Sequence, residues 1–392
     1  MGVFNTKINR FQSNRKLLLD KIKNEVKMKK NTVWIHAASL GEYELAIPLI
    51  KKIKEKYSNT IILTFFSESG FKLKSRIKEI DHTFYLPIDT KSNAKRFLEI
   101  IKPEIAIFIK SEIWPNFLNE IKKRKIKTYL VESRFIKNDR YLTFPLKFLY
   151  KNKLKIFHKI FTIDDDSKLE LQKSDINNVL VTGSLKIERV KHLLEEEYSN
   201  SIIEKFKGEG FCIVCGSTWE ADEKIIFKYI KKSKNKKLKW IIAPHDISKG
   251  NIKRIEKNII SKYTKFSNIT DDNVHGNILI LDTIGHLKNI YKYADLCYIG
   301  GGMGNTGLHN ILEACVYEIA VVIGKNYKKF KESIDLVELM GVISVKNQFE
   351  FDDEFDKLIT DEKHRFNIIN NSKKYFVGKT GASNTIIKNL TL

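Results

Sequence analysis

Nowhere in the 392 residues is there a run of about 18 apolar side chains, the length that crosses a bilayer as a helix. No signal-peptide pattern is present either. Cysteine is scarce. Of the four, Cys212 and Cys215 form a C-x-x-C, but inside the apolar run FCIVCGS, and no second pair completes a zinc site. Core thiols in a reducing cytoplasm are the expected reading. RNP-type, zinc-finger and other nucleic-acid signatures are missing, so nucleic acid is not an expected partner. No internal repeat of fixed short period occurs, which excludes a solenoid. Acid is in deficit: 47 Asp and Glu stand against 70 Lys and Arg, for a net charge of +23. Such an excess favours an anionic partner, such as a phosphorylated substrate or an acidic membrane surface. The lysines are spread along the whole chain among Ile and Asn, so charge by itself discriminates poorly.

What the chain does have is core and length. Hydrophobic residues make up 42%, which excludes disorder, and 392 residues suffice for two ordinary domains. One stretch organises the second half: ADLCYIGGGMGNTGLHNILEACVYEIAVVIG, residues 294–324. Residues 296–299 read as a buried strand, ended by Gly300, Gly301 and Gly302. Gly304 and Gly307 keep the next loop bare, Asn310 opens a helix, and 321–323 form the next strand. A strand, a glycine loop and a helix N-terminus make an anion site, usually for a nucleotide phosphate. Asn310 with Glu313 is also the spacing of a capping box.

Taken in order, the chain starts with a basic helical segment, residues 1–30. Phe4, Ile8, Phe11, Leu18, Ile22 and Val26 recur there at helical spacing. Two readings stand: an interfacial helix on anionic lipid, or an amphipathic helix packed on the protein. Strands are expected at 32–37, 61–65, 83–86, 105–109, 128–131, 161–163 and 179–182, alternating with helices. That alternation implies a parallel doubly wound sheet, which binds ligands at the carboxyl ends of its strands. The loops there carry Ser39, Glu42, Ser67, Ser69, Lys110, Glu112 and Arg134. Asp164, Asp165 and Asp166 precede the helical SKLELQK, so they read as an N-cap and first-turn charge rather than as metal ligands. An acidic, polar stretch at 195–201 marks the domain boundary. The alternation then restarts with strands at 211–215, 239–243 and 278–281, and residues 361–392 are largely helical.

The expected organisation is therefore a helical segment 1–30, an acceptor domain 31–200, a nucleotide domain 201–370 and a returning helix 371–392. Two such α/β domains facing across a cleft describe the GT-B architecture of nucleotide-sugar transferases. Here the chain resembles a family, the Kdo (3-deoxy-D-manno-octulosonic acid) transferases. The resemblance is carried by HAASLGE (His36 to Glu42), YLP-D (Tyr85 to Asp89), SEIWPN (Ser111 to Asn116), GSLKIE (Gly183 to Glu188), GST (Gly216 to Thr218), APH (Ala243 to His245), DTIG (Asp282 to Gly285) and HNILEA (His309 to Ala314). Departures are also visible. The family usually begins with an apolar membrane anchor, absent from this sequence: either the chain starts after it, or residues 1–30 do the job alone. Lys110 stands where the family often has Glu. Ile311 and Leu308 replace a frequent Pro and Gly, and His245 stands where Arg is frequent.

The resemblance implies transfer of Kdo from CMP-Kdo to a lipid A precursor at the cytoplasmic face of the inner membrane, by a peripheral enzyme using no metal. It implies a general base at Glu42, with Lys110, Glu112 and Lys186 completing the catalytic group. From the residues alone, Glu42 is equally a first-turn helix acid favoured by the dipole. The resemblance further implies that Pro244 and His245 lie beside the cytosine. Ile284, Gly285 and His286 approach CMP through their loop. Asn310, Ile311 and Leu312 offer helix-start amides to the phosphate, and Glu313 suits the ribose hydroxyls. A UDP-sugar enzyme of the same architecture is the first rival. It need not keep HAASLGE or SEIWPN. A non-catalytic basic binding protein is the second, and it leaves the carboxylates and glycines placed after strands unexplained.

Overall fold

The computed structural model describes residues 13, 15–26, 31–57, 60–71, 79–139, 141–235, 237–259, 261–269 and 276–391. The chain divides into two compact units. One runs to Arg189 and takes back the chain from Lys379 onward; the other is Val190–Gly378. The division thus falls ahead of the acidic stretch at 195–201.

The first unit is built on a sheet of seven parallel strands, in the order β3-β2-β1-β4-β5-β6-β7. They are β1 (Thr32–His36), β2 (Thr60–Phe65), β3 (His82–Tyr85), β4 (Ile105–Ile109), β5 (Lys127–Ser133), β6 (Lys159–Thr162) and β7 (Val179–Val181). TVWIH, TIILTF and IAIFI are buried along their whole length, because helices cover both faces. The second unit has a seven-stranded sheet too, in the order β10-β11-β9-β8-β12-β13-β14. Its strands are β8 (Phe211–Thr218), β9 (Leu238–Pro244), β10 (Tyr263–Lys265), β11 (Ile278–Ile280), β12 (Leu296–Ile299), β13 (Ala320–Gly324) and β14 (Ile343–Val345). Strands β10 and β14 have no counterpart among the expected strands. Each is three residues at a sheet edge, too short and too mixed in polarity to carry a periodic signal. Two doubly wound parallel-sheet units in one chain are the components of the GT-B architecture, as expected.

In each sheet the strand order reverses once, at β1/β4 and at β8/β12. Crevices at the carboxyl ends open at such switch points. In the first unit, His36 ends β1 while Lys110 and Glu112 follow β4. In the second, Thr218 ends β8 and Gly300–Gly302 follow β12.

The last helix, Ala382–Asn389, belongs to the first unit and packs on the helix Leu40–Tyr57. Its Ala382, Ile386 and Ile387 join the core that holds Ala46, Leu49 and Ile50. Glu188, the acid of GSLKIE, accepts from the Ser383 amide at 2.9 Å and from the Ser383 hydroxyl. It thereby caps the returning helix. At the other end, the Thr391 amide donates to the Tyr129 hydroxyl at 3.0 Å.

Of the basic N-terminal segment, Phe4, Ile8 and Phe11 lie outside the described residues. The helix Leu18–Glu25 buries Leu18, Leu19 and Ile22 in the core with Phe97 and Trp34. For that stretch the reading as a packed amphipathic helix holds, and its apolar face does not reach lipid. Cys212, Cys215, Cys297 and Cys315 are free and buried, the thiol role expected of them. Asp164 accepts from the Ser167 amide at 2.8 Å and is the N-cap of the helix Asp165–Gln172.

Candidate functional site

At the switch point of the first sheet, three residues separate the end of β1 from the helix Leu40–Tyr57. Glu42 lies in its first turn, and its carboxylate accepts from the Ser39 amide at 3.0 Å. This is one half of a capping box. The helix-acid reading of Glu42 is thus realised, and it does not exclude a role in proton transfer. Burial, and next the Glu112 carboxylate, raise the Glu42 carboxyl above its ordinary value, against lowering by Lys110, the Ser39 amide and His36.

Among the described residues, Glu112 makes no ion pair with Lys110 or Arg134. It accepts from the Trp114 indole N–H at 2.8 Å and lies 3.5 Å from His36 Nε2. His36 is fully buried, and its Nδ1 faces the Thr64 hydroxyl at 2.9 Å. So Trp114, which sequence reasoning quoted only as a motif letter, holds Glu112 in place beside His36. Asp89 of YLP-D is structural: it accepts from the Asn116 and Phe117 amides and caps the helix Pro115–Lys123. The loops after β1 and β2 are tied together, because the Ala38 carbonyl accepts from the Phe66 and Ser67 amides. Arg134, expected on this rim, lines a cavity of about 330 Å³ with Ile136, Lys137 and Asp164.

Lys110 adopts φ 63° directly after β4, and its amide donates to the Val131 carbonyl at 2.7 Å. One strand over, Glu132 adopts φ 58° and is buried. Both values lie in the left-handed region, a local strain common where side chains are aimed at a site. Glu132 accepts from the Leu185 amide at 2.6 Å and from the Ser184 hydroxyl. It therefore fixes the start of the helix Leu185–His192, which carries Lys186 in its first turn. Burial raises the Glu132 carboxyl, while these donors and the Lys110 charge pull it down. Sequence reasoning passed over Glu132. Its signal was an acid closing the apolar run TYLV.

In the second unit the glycine loop does not offer all its amides to an anion. Asp222, fully buried, accepts from the Gly301 amide at 2.8 Å and the Met303 amide at 3.2 Å. It also accepts from the Tyr298 hydroxyl at 2.8 Å and the Trp219 amide at 3.0 Å. The glycines serve close packing. A Cβ on Gly300 would stand 2.5 Å from the Ser217 carbonyl oxygen, and one on Gly302 would stand 2.8 Å from the Gly324 amide nitrogen. The helix expected from Asn310 is a single turn, Leu312–Cys315. Ile311 and Leu312 are buried, so their side chains serve the core. The Asn310 side-chain amide donates to Glu313 at 2.9 Å, which is not capping-box geometry, and Asn310 Oδ1 is buried with no hydrogen-bond partner.

Beside this turn stands an aromatic stack. Trp219 stacks on His245 at 4.5 Å between centroids, and His245 meets His309 at 4.4 Å. The Trp219 indole N–H points to His309 Nε2 at 3.4 Å. Of these, only His245 was among the expected site residues, with Pro244 at the end of β9 beside it. Ile284, Gly285 and His286 stand on another loop, where His286 meets Phe266 at 5.1 Å. Ile284 is 84% exposed, and Gly285 has φ 97°.

Burial, then the neighbouring His245, lower the His309 pKa from 6.5 to about 4. A histidine kept neutral in the folded state stabilises the fold fully above its unfolded pKa, and that contribution is lost as pH falls. The second unit should thus lose stability between about pH 6.5 and pH 4. His309→Gln should flatten that part of the melting-temperature profile. An unchanged slope in the variant would reject this assignment.

A protein-family model described as 3-deoxy-D-manno-octulosonic-acid transferase (kdotransferase) matches residues 10–189. The chain is 30% identical over 315 residues to a bifunctional glycosyltransferase/methyltransferase of Fusobacterium nucleatum, covering 75% of this chain and 47% of that one. It thus spans about half the length of that relative. It is 27% identical over 348 residues to the 3-deoxy-D-manno-octulosonic acid transferase of Aquifex aeolicus, covering 87% and 90%. Among solved structures, a UDP-GlcNAc 2-epimerase from Neisseria meningitidis superposes with TM-score 0.66 at 16% identity, over 91% of this chain and 98% of that one. At that identity the likeness concerns the fold alone. The family model at residues 10–189 and relatives along most of the length agree with the ordered motifs: the chain is a glycosyltransferase that resembles the Kdo transferases along most of its length.

Proposed function

We propose that this protein transfers Kdo from CMP-Kdo to a hydroxyl of the tetra-acyl disaccharide bisphosphate precursor of lipid A, in lipopolysaccharide core synthesis. The resemblance to the Kdo transferases supports the sugar and the reaction class. The observation that carries the site assignment is the Glu42 carboxyl, raised by burial and by Glu112 at the switch point of the first sheet. A carboxylate shifted up toward neutral pH is the stronger proton acceptor. Glu42 takes the acceptor proton as the hydroxyl oxygen bonds to the anomeric carbon of Kdo. The bond from that carbon to the CMP phosphate breaks, its electron pair stays on the phosphate, and the configuration inverts. Glu112, held by Trp114, orients the acceptor. Lys186 offers its charge to the departing phosphate or to the Kdo carboxylate, and Lys110 balances the carboxylates around it.

On the second unit, the Trp219, His245 and His309 rings offer a flat apolar face suited to cytosine. Glu313, held by Asn310, suits the ribose hydroxyls, and the unpartnered Asn310 Oδ1 suits a hydroxyl donor. Backbone amides at 310–313 and the loop Ile284–His286 suit the phosphate. Fixed dipoles and cations of this kind stabilise a leaving phosphate without a divalent ion. The reaction takes place at the cytoplasmic face of the inner membrane, with the protein bound peripherally. Among the described residues, no helix is long and apolar enough to cross a membrane.

The test is purified protein with CMP-Kdo and the lipid A precursor, read by the mass gain of the lipid. Transfer is expected to proceed in EDTA at an undiminished rate, and CMP rather than UDP is expected to raise the melting temperature. Abolition by EDTA with rescue by Mg²⁺ would overturn the account of the leaving group. A thermal shift with UDP alone would overturn the donor.

A further inference from the structure

The crossover from β5 to β6 carries an apolar surface that the transfer chemistry does not use. Residues 144–149 read FPLKFL. Phe144 is 82% exposed and Phe148 75% exposed, and Leu146 and Leu149 are exposed beside them. The two phenyl rings meet edge to face, 6.4 Å apart, so they form one patch. Elsewhere among the described residues, most exposed large apolar side chains stand singly in sequence. Single ones need no explanation, whereas a contiguous run marks a docking surface.

Charge says what docks there. From Arg140 to Lys159 the sequence contains no Asp or Glu, but Lys147, Lys151, Lys153, Lys155 and Lys159. The helix Lys147–Leu154 bears the first three of these lysines together with Phe148 and Leu149. Two acids come near among the described residues: Asp139 accepts from the Tyr141 amide at 2.9 Å, and Asp175 pairs with Lys151 at 2.6 Å and is lowered by Lys151, Lys155 and Lys147 together. Asp175 alone thus faces at least three ammonium groups, and the surface stays positive. Exposed aromatic and aliphatic side chains within a basic surface match an anionic bilayer, in which the rings enter the acyl boundary and the lysines meet the headgroups.

We infer that the surface formed by Phe144, Leu146, Phe148 and Leu149 with Lys147 and Lys155 docks this protein on an anionic lipid bilayer. The helix Leu18–Glu25 is unsuited to that task, since its apolar residues are buried in the core. The inference rests on surface composition and stands whether or not the transfer reaction is as proposed. Its readout is therefore vesicle binding rather than catalysis.

The experiment is co-sedimentation of the full chain with vesicles of pure phosphatidylcholine, or of phosphatidylcholine with a quarter phosphatidylglycerol, at low and high salt. Binding to the anionic vesicles is expected, weakened by salt and at least tenfold weaker for F144S/F148S, the order expected from exposing two phenyl rings. Lys147→Glu should weaken binding by about fivefold or more, the order for one lysine near an anionic surface. F144S/F148S changes exposed side chains and Lys147 is half-buried, so an unchanged melting temperature verifies the folding of both variants. Equal binding by F144S/F148S and the parent overturns the inference, as does equal binding to both vesicle types. So does a stable dimer in sedimentation velocity that F144S/F148S dissolves, because the patch is then covered by a second copy.

Discussion

Glu42→Gln should lower single-turnover transfer by about 10²–10⁴-fold while leaving CMP affinity within a few-fold of the parent. The substitution keeps shape and can still accept from the Ser39 amide through its carbonyl oxygen. What it removes is the basic carboxylate. The size follows from what a positioned general base contributes. Direction and cause of the Glu42 shift set the pH dependence. Its carboxyl is raised first by burial and next by Glu112, so activity should fall on acidification at a higher pH than an ordinary glutamate would set. Glu112→Gln removes that carboxylate charge and should move the acid limb to lower pH. Glu313→Gln supplies the contrast. It should weaken CMP binding first, by about tenfold to a hundredfold, because one charge-assisted hydrogen bond to ribose is lost. Calorimetry with CMP and rapid-quench transfer separate the two patterns. If Glu42→Gln stays within a few-fold of the parent rate, Glu112 becomes the next candidate for the base.

Asp222→Ala should destabilise the second unit by about 3–5 kcal/mol and abolish nucleotide binding with it, whatever the transferred sugar. The Asp222 carboxylate is fully buried and accepts from four donors: the amides of Trp219, Gly301 and Met303 and the hydroxyl of Tyr298. Alanine leaves all four without this acceptor, and the Tyr298 hydroxyl and the Gly301 amide are buried there. An unmet buried donor costs about 1–3 kcal/mol, and partial relaxation keeps the sum below simple addition. Tyr298→Phe removes one donor with its partner kept and should cost about 1 kcal/mol. The order of the two variants in urea denaturation, followed at Trp219 and Trp240, is the check. Faster hydrogen exchange at the Gly301 and Met303 amides in Asp222→Ala should accompany it. Equal stability of Asp222→Ala and Tyr298→Phe would show that the glycine loop holds its shape without this carboxylate.

The strands were legible because their signal is local. IAIFI and LCYI are apolar throughout and TIILTF is broken only by threonine, and a strand covered on both faces needs no alternation. Loops were legible because glycine and the cap residues mark the ends of elements wherever these fall, as Asp164 does. The motif letters also fall on the rims at the carboxyl ends of the strands, since parallel strands present all those ends at one edge. Which groups meet across a rim was not legible. It depends on strand order, and order is decided by how whole helices and strands pack, not by neighbours in sequence. The placement of β4 beside β1 brings Glu112 to His36, and the placement of β12 beside β8 lets Asp222 take the glycine amides that sequence reasoning assigned to phosphate. Glu132 reads in isolation as one more acid after a strand. Burial and the approach of the chain at Ser184 and Leu185 make it the group that sets Lys186. A charged side chain's role follows from what desolvates and what faces it, and both come from residues far away along the chain.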